Sequence, residues 1–296
     1  MKILICSDSH GDSEIIFENA REIVRRHRSG VNLVLSDIEA EYGEIFTLYE
    51  AMYYIVVDMT IKINGESGEI KKTYMYDTIL HLHGRACQIS SEILCLLKNG
   101  FADGALSRCR SLWEIAIYAH FISDYGEDVA EAYWKQAREE IQPKKAVWAK
   151  NASCFKDCKK AQQGNISFED IRSKCKLPQD VIESWSRFNE HSSKVVHAVP
   201  ISTFGRLFHE RAAKDNYVIM SSSLEGLWFP ISYALLFLRQ SASVFASIAL
   251  GEEAYNKYYL ESKSYKELVK SVSKTFKMLN EWEQVVSSFS SKYFSD

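Results

Sequence analysis

Two short segments hold residues whose types and spacing suit chemistry on a phosphodiester. In the first, Arg108-Cys-Arg110-Ser-Leu-Trp-Glu114, Arg110 and Glu114 lie four residues apart. On a helix that spacing makes them surface neighbours. Leu106, Trp113 and Ile117 flank the pair, and a charged pair on an apolar stripe is costly unless its members satisfy one another. The second segment, Trp185 to Ala198, gathers Arg187, Asn189, Glu190, His191, Ser193, Lys194 and His197. Ser193 and His197 stand one helical turn apart, Asn189 and Glu190 one turn earlier, and Arg187 and His191 form a third pair at the same spacing.

The chemistry such a set supports is acid–base cleavage without a metal or other cofactor. A histidine titrating near neutrality takes the proton of a ribose 2′-hydroxyl or protonates the leaving oxygen. An arginine stabilises the charged transition state with paired donors. DNA lacks the 2′-hydroxyl, so the reaction is confined to RNA. The assignments that follow are His197 as general acid/base, Arg110 as phosphate stabiliser, Glu114 orienting Arg110, and His191, Asn189 and Ser193 assisting. Arg108, Arg187 and Lys194 are the candidates for RNA contact. The structural alternative is that Arg110 and Glu114 clamp two helices and that the same polar residues form a buried network fixing helix register.

Metal chemistry fits less well. Ile5-Cys-Ser-Asp-Ser-His-Gly-Asp12 resembles the first signature of the metallophosphoesterases, but two-metal hydrolysis needs further carboxylate and imidazole ligands. The later Gly-Asp, Gly-Asn-His and Gly-His-x-His segments of that family are absent. Cys154, Cys158 and Cys175 could share a zinc ion only with a fourth ligand, and the nearest histidine is His191. His81 and His83 are two apart, which on a helix points the rings away from one another.

Helices must position these residues. The chain has 296 residues with only 4 prolines and 13 glycines, roughly a quarter and half of the usual shares. Long uninterrupted helices follow, and an all-β architecture is excluded. The periodicity predicts helices over 13–28, closed by Ser29-Gly30, and from Asp37 to about Lys62. Further helices run from Tyr74 to Lys98, ending at Asn99-Gly100, and from Gly104 to Asp124, capped by Asp103, the two forming an antiparallel hairpin. Residues 125–176 are polar and lysine-rich and read as the least core-like third. Helices resume over 180–198, 221–250 and 252 to about 293. The expected fold is all-α: an N-terminal appendage (1–36), a helical bundle (37–250) and a C-terminal helical extension packed on the bundle (251–296).

The net charge of −3 and pI near 6.3 give no global attraction for nucleic acid, so RNA contact must come from a local cluster. Seven cysteines, odd in number and mostly in apolar stretches, read as reduced thiols of a cytoplasmic protein. The apolar run Tyr233–Leu238 is too short to span a bilayer and reads as a buried helix segment, with no membrane partner.

Over roughly residues 40–245 the sequence resembles an uncharacterised family of bacterial all-helical proteins marked by Arg-Ser-Leu-x-Glu and Ser-x-x-x-His segments. Here these are Arg110-Ser-Leu-Trp-Glu114 and Ser193-Lys-Val-Val-His197. That family is similar in layout to the HEPN bundles, many of which are metal-independent ribonucleases of toxin–antitoxin and phage-defence systems. The HEPN signature sets four to six residues between an arginine and a later histidine, whereas three separate Arg187 from His191 and nine separate it from His197. The resemblance implies an endoribonuclease toxin or effector of bacterial stress or anti-phage defence, an RNA substrate, a homodimer and a regulatory partner protein. The competing expectation is a non-catalytic helical interaction protein.

Overall fold

The computed structural model describes residues 10–66, 73–139, 146–196 and 222–251. They form an all-α bundle, with no strand among the described residues. Eight α-helices follow in order: α1 (His10–Glu66), α2 (Tyr74–Lys98), α3 (Ala102–Tyr125), α4 (Glu127–Glu139), α5 (Lys159–Gln162), α6 (Phe168–Arg172), α7 (Gln179–Val196) and α8 (Trp228–Leu250). Two 3-10 turns, Val147–Asn151 and Ser153–Phe155, link α4 to α5.

Helices α2, α3 and α8 pack on one another at the centre, with α1 against α2 and α8, α4 against α2, and α7 against α3. The core runs through Phe46, Tyr49, Ile79, Ile93, Leu112, Trp113, Phe121, Phe188, Phe237 and Phe245. Inside it, Tyr49 Oη donates to the Ser90 carbonyl at 3.1 Å. Helix α8 is long and apolar enough, by composition, to cross a membrane. In the bundle its Ile231, Ala234, Phe237, Leu238, Ala242 and Phe245 are buried, the place of a core helix.

Three boundaries differ from those read off the sequence. Ser29-Gly30 does not end a helix: α1 continues through it for 57 residues, about 85 Å at 1.5 Å per residue. Ser29 Oγ donates to the Arg26 carbonyl at 2.7 Å, and Gly30 lacks the positive φ found at Gly100, Gly126, Gly164, Gly226 and Gly251. A glycine terminates a helix by turning left-handed; otherwise it only weakens it. Asp103 does not cap α3, because the turn at Gly100 starts the helix at Ala102, with the Phe101 carbonyl accepting from Ala105 N–H at 2.9 Å. The carboxylate of Asp103 sits in the first turn instead, where the helix dipole favours it. Residues 222–227 precede α8 without being helical, since Ser223 N–H is drawn to the Gly100 carbonyl at 3.1 Å. The predicted helix over 252–293 lies outside the described residues.

The lysine-rich stretch also holds more core than its composition suggests. Trp148, Phe155, Ile166, Ile171 and Cys175 are buried, single anchors set among exposed lysines. Trp148, Phe155 and Ile171 come one each from three short helical turns and the others from the segments between helices, so no long apolar stripe marks the region. Helix α6 opens on a capping box in which Ser167 N–H donates to Asp170 at 2.9 Å and Asp170 N–H to Ser167 Oγ at 3.2 Å. Helix α2 is started by Thr73, which accepts from Tyr76 N–H, and by the Glu127 carboxylate at the head of α4, which accepts from the N–H groups of Tyr74 and Met75 at 2.7 and 3.0 Å.

His81 is exposed and His83 buried, as two residues of separation on a helix requires. The His83 ring ties three helices together. Nε2 lies 2.8 Å from Thr60 Oγ1 on α1, Nδ1 lies 3.3 Å from Ser241 Oγ on α8, and the ring stacks on Phe245 at 4.9 Å. Burial pulls its pKa down from 6.5 to about 4.

Two outcomes follow from this packing. At Gly100, φ is +74° and an added Cβ would stand 2.8 Å from Ile38 Cδ1 and 2.8 Å from Ser223 N. Gly100→Ala should therefore destabilise the bundle by about 1–3 kcal/mol in urea melts. For His83, the folded state resists a proton that the unfolded chain accepts. Stability is thus fully present above pH 6.5 and falls as pH drops toward about 4, by up to about 3 kcal/mol. His83→Gln should flatten that part of the pH–stability curve.

Candidate functional site at the α3–α7 seam

Aromatic contacts dock α7 antiparallel on α3. Trp113 meets the edge of Phe188 at 5.9 Å, and His120 lies 5.9 Å from Trp185. Phe188 also packs on Tyr233 and Phe237 of α8, at 4.7 and 4.9 Å. These large rings fix both the spacing and the register of the two helices. One turn before Trp113 and one turn after Phe188, that register brings Arg110 and Ser193 together.

Arg110 Nη1 donates to Ser193 Oγ at 3.2 Å, and Ser193 Oγ donates to Asn189 Oδ1 at 3.5 Å. On its other side Arg110 Nε stands 3.8 Å from Glu114 Oε1, the loose ion pair expected from the four-residue spacing. The Arg110 and Glu114 side chains are 33% and 43% exposed, so water and small anions reach them. Burial nonetheless raises the Glu114 pKa above its ordinary value, and Arg110 pulls it back in part. The arrangement is a half-exposed guanidinium held between a carboxylate and a hydroxyl, able to turn donors toward an anionic oxygen.

Of the residues singled out by sequence, Arg110, Glu114, Asn189 and Ser193 meet in one cluster. Arg187 is exposed on α7. His191 and Lys194 lie on the α7 backbone between Asn189 and Val196, and His197 lies outside the described residues. Arg108 is elsewhere: it leaves α3 about 200° from Arg110 and forms an ion pair with Glu92 of α2. Its Nε is buried with no hydrogen-bond partner. Arg108 and Arg110 therefore do not form one basic patch.

A second polar contact of α3, made with α8, had no clear signature in the sequence. His120 Nε2 lies 3.1 Å from Gln240 Oε1 on α8, with Trp185 of α7 against the ring, and burial lowers the His120 pKa. The one local signal was its position seven residues after Trp113, on the same line of α3. Gln240 carries no comparable signal, because only the fold brings it near.

The three thiols considered for zinc are dispersed in role. Cys175 is buried, with Sγ 3.7 Å from the Ile117 carbonyl and 3.6 Å from that of Ile171, and burial pushes its pKa up to about 12. Cys154 and Cys158 are half-buried. Among the described residues no group of three His, Cys, Asp or Glu side chains is placed to hold a metal ion.

The seam is held by its rings and only decorated by its polar atoms. Phe188→Ala, at a fully buried position, should cost about 3–5 kcal/mol and loosen α7 from α3. Ser193→Ala should cost less than about 1 kcal/mol, because its half-exposed partner Arg110 can turn to water. Chemical denaturation of both variants checks the contrast.

Comparison with known proteins bears on the first of the two segments. No curated protein and no solved structure gives a match. Residues 76–180 match a family of unknown function (DUF5677), a span that covers α2 through α6 and includes Arg110-Ser-Leu-Trp-Glu114 but ends before Ser193.

Proposed function

We propose that the chain is a HEPN-like, metal-independent endoribonuclease, a toxin or effector of bacterial stress or anti-phage defence acting in the cytoplasm. The observation that carries this reading is the contact of Arg110 with Ser193. It sets a solvent-reachable guanidinium beside Ser193, four residues before His197 in the sequence. Phosphodiester cleavage needs that pairing of a cation for the phosphoryl oxygens with a proton-transfer group for the reacting hydroxyl.

In this mechanism His197 takes the proton of the ribose 2′-hydroxyl as its oxygen bonds to phosphorus. The bond from phosphorus to the 5′-oxygen breaks and that oxygen gains a proton, leaving a 2′,3′-cyclic phosphate and a 5′-hydroxyl end. Arg110 stabilises the equatorial oxygens, Glu114 orients Arg110, and Asn189, Ser193 and His191 support the pair. Arg187 and Lys194, on the same helix as Ser193, supply contacts to the RNA backbone. Arg108, committed to Glu92, acts by fixing α3 on α2.

A second reading has its own observation. Arg110, Glu114, Ser193 and Asn189 partner one another, as a register-fixing network in a non-catalytic interaction protein would. Expression in bacteria separates the two. Wild type should be toxic and fragment cellular RNA under induction or phage challenge, with cyclic-phosphate ends, and His197→Ala and Arg110→Ala should lose both effects while remaining folded. Intact RNA with the wild type under both conditions would leave the network reading standing.

A further inference from the structure

The first 25 residues of α1, from His10 to Val34, form an arm whose residues 19–30 are all exposed. It is not a polar helix. Ile23 is 53% exposed, Val24 47% and, further along, Leu33 69%, apolar surface of the kind that a partner covers. The spacing is regular: Ala20, Val24, His27, Val31, Val34 and Ile38 recur at alternating intervals of four and three, the pattern of a coiled-coil seam. From Ile38 the same line continues as Tyr42, Phe46 and Tyr49, which are buried in the bundle core. The seam that packs α1 onto the bundle therefore runs on into the arm, part-covered at Val34 and Val31 and exposed from His27 back to Ala20.

The charges of the arm indicate what covers it. Residues 11–20 carry Asp12, Glu14 and Glu18 and no cation, whereas residues 21–28 carry Arg21, Arg25, Arg26 and Arg28 against the single carboxylate of Glu22. Arg25 and Arg26 both turn to that one carboxylate, at 2.9 and 4.0 Å. The arm is thus acidic in its first half and basic in its second. A parallel copy would set like charge on like. An antiparallel copy, crossing near residues 20–23, lays each acidic half along the basic half of the other and closes the two apolar seams together, an isologous two-fold contact.

We propose that the arm is a self-association element: two copies of the chain pair through antiparallel α1 arms. The proposal stands apart from the nuclease reading and concerns the arm, not the α3–α7 seam. Sedimentation velocity of the full chain tests it. Wild type should pass from monomer to dimer as concentration rises, and Val24→Glu should weaken the dimer at least tenfold. The triple variant Arg25→Glu/Arg26→Glu/Arg28→Glu makes the arm acidic throughout except at Arg21, and Asp12→Lys/Glu14→Lys/Glu18→Lys makes it basic throughout except at Glu22. Each alone should be monomeric, and an equimolar mixture should restore the dimer. Circular dichroism of each variant confirms that the helices persist. A wild type that stays monomeric at every concentration, as it would if residues 252–296 of the same chain covered the arm, overturns the proposal. So does a dimer indifferent to these changes, or a mixture that stays monomeric.

Discussion

Helix α3 is walled in by α2, α7 and α8, and every polar group along it must find its partner across a helix seam or pay for desolvation. That constraint organises the rest of the molecule. Leu112, Trp113, Ala116, Ile117, Phe121 and Ile122 are buried, so apolar contact covers most of its circumference. Arg108 escapes toward Glu92 of α2, Arg110 toward Ser193 of α7, and His120 toward Gln240 of α8. Each of the three seams around α3 thus holds a polar contact, and at the candidate site, as at the Arg108–Glu92 pair, the charged groups remain partly open to solvent.

The polar contacts do not supply the cohesion. Rings do: Trp113, Phe188, Tyr233 and Phe237 interlock α3, α7 and α8 with edge-to-face and tilted contacts, each adding directional preference to a large buried area. A site placed on the rim of such a cluster is held in register by packing that takes no part in its chemistry. Arg110 and Ser193 can then remain half-exposed and loosely paired.

The arm of α1 follows a different rule. Elsewhere the line of α1 is answered by α2 and α8, and Val34 and Leu35 still touch the core, but residues 19–30 are exposed and their charge is sorted into opposite halves with the residues before them. Length without covering is expensive for an apolar helix, and the economy of a second identical arm is that one sequence supplies both faces.

The sequence by itself determined the all-α class, the antiparallel α2–α3 hairpin, the pairing of Arg110 with Glu114, the opposed placement of His81 and His83, and α8 as a buried helix. These depend on periodicity and on neighbours within a turn or two. It misjudged Ser29-Gly30 and the capping of α3, because a glycine or an aspartate signals a boundary only in the backbone conformation its surroundings impose. It undervalued residues 125–176, where Trp148, Phe155 and Ile171 are isolated anchors with no period to detect. Only the tertiary structure decided that Arg110 meets Ser193, that Arg108 turns to Glu92, and that His120 finds Gln240. Those partners lie far apart in the chain, and their meeting depends on the register that the buried rings set between helices, a relation no local spacing encodes.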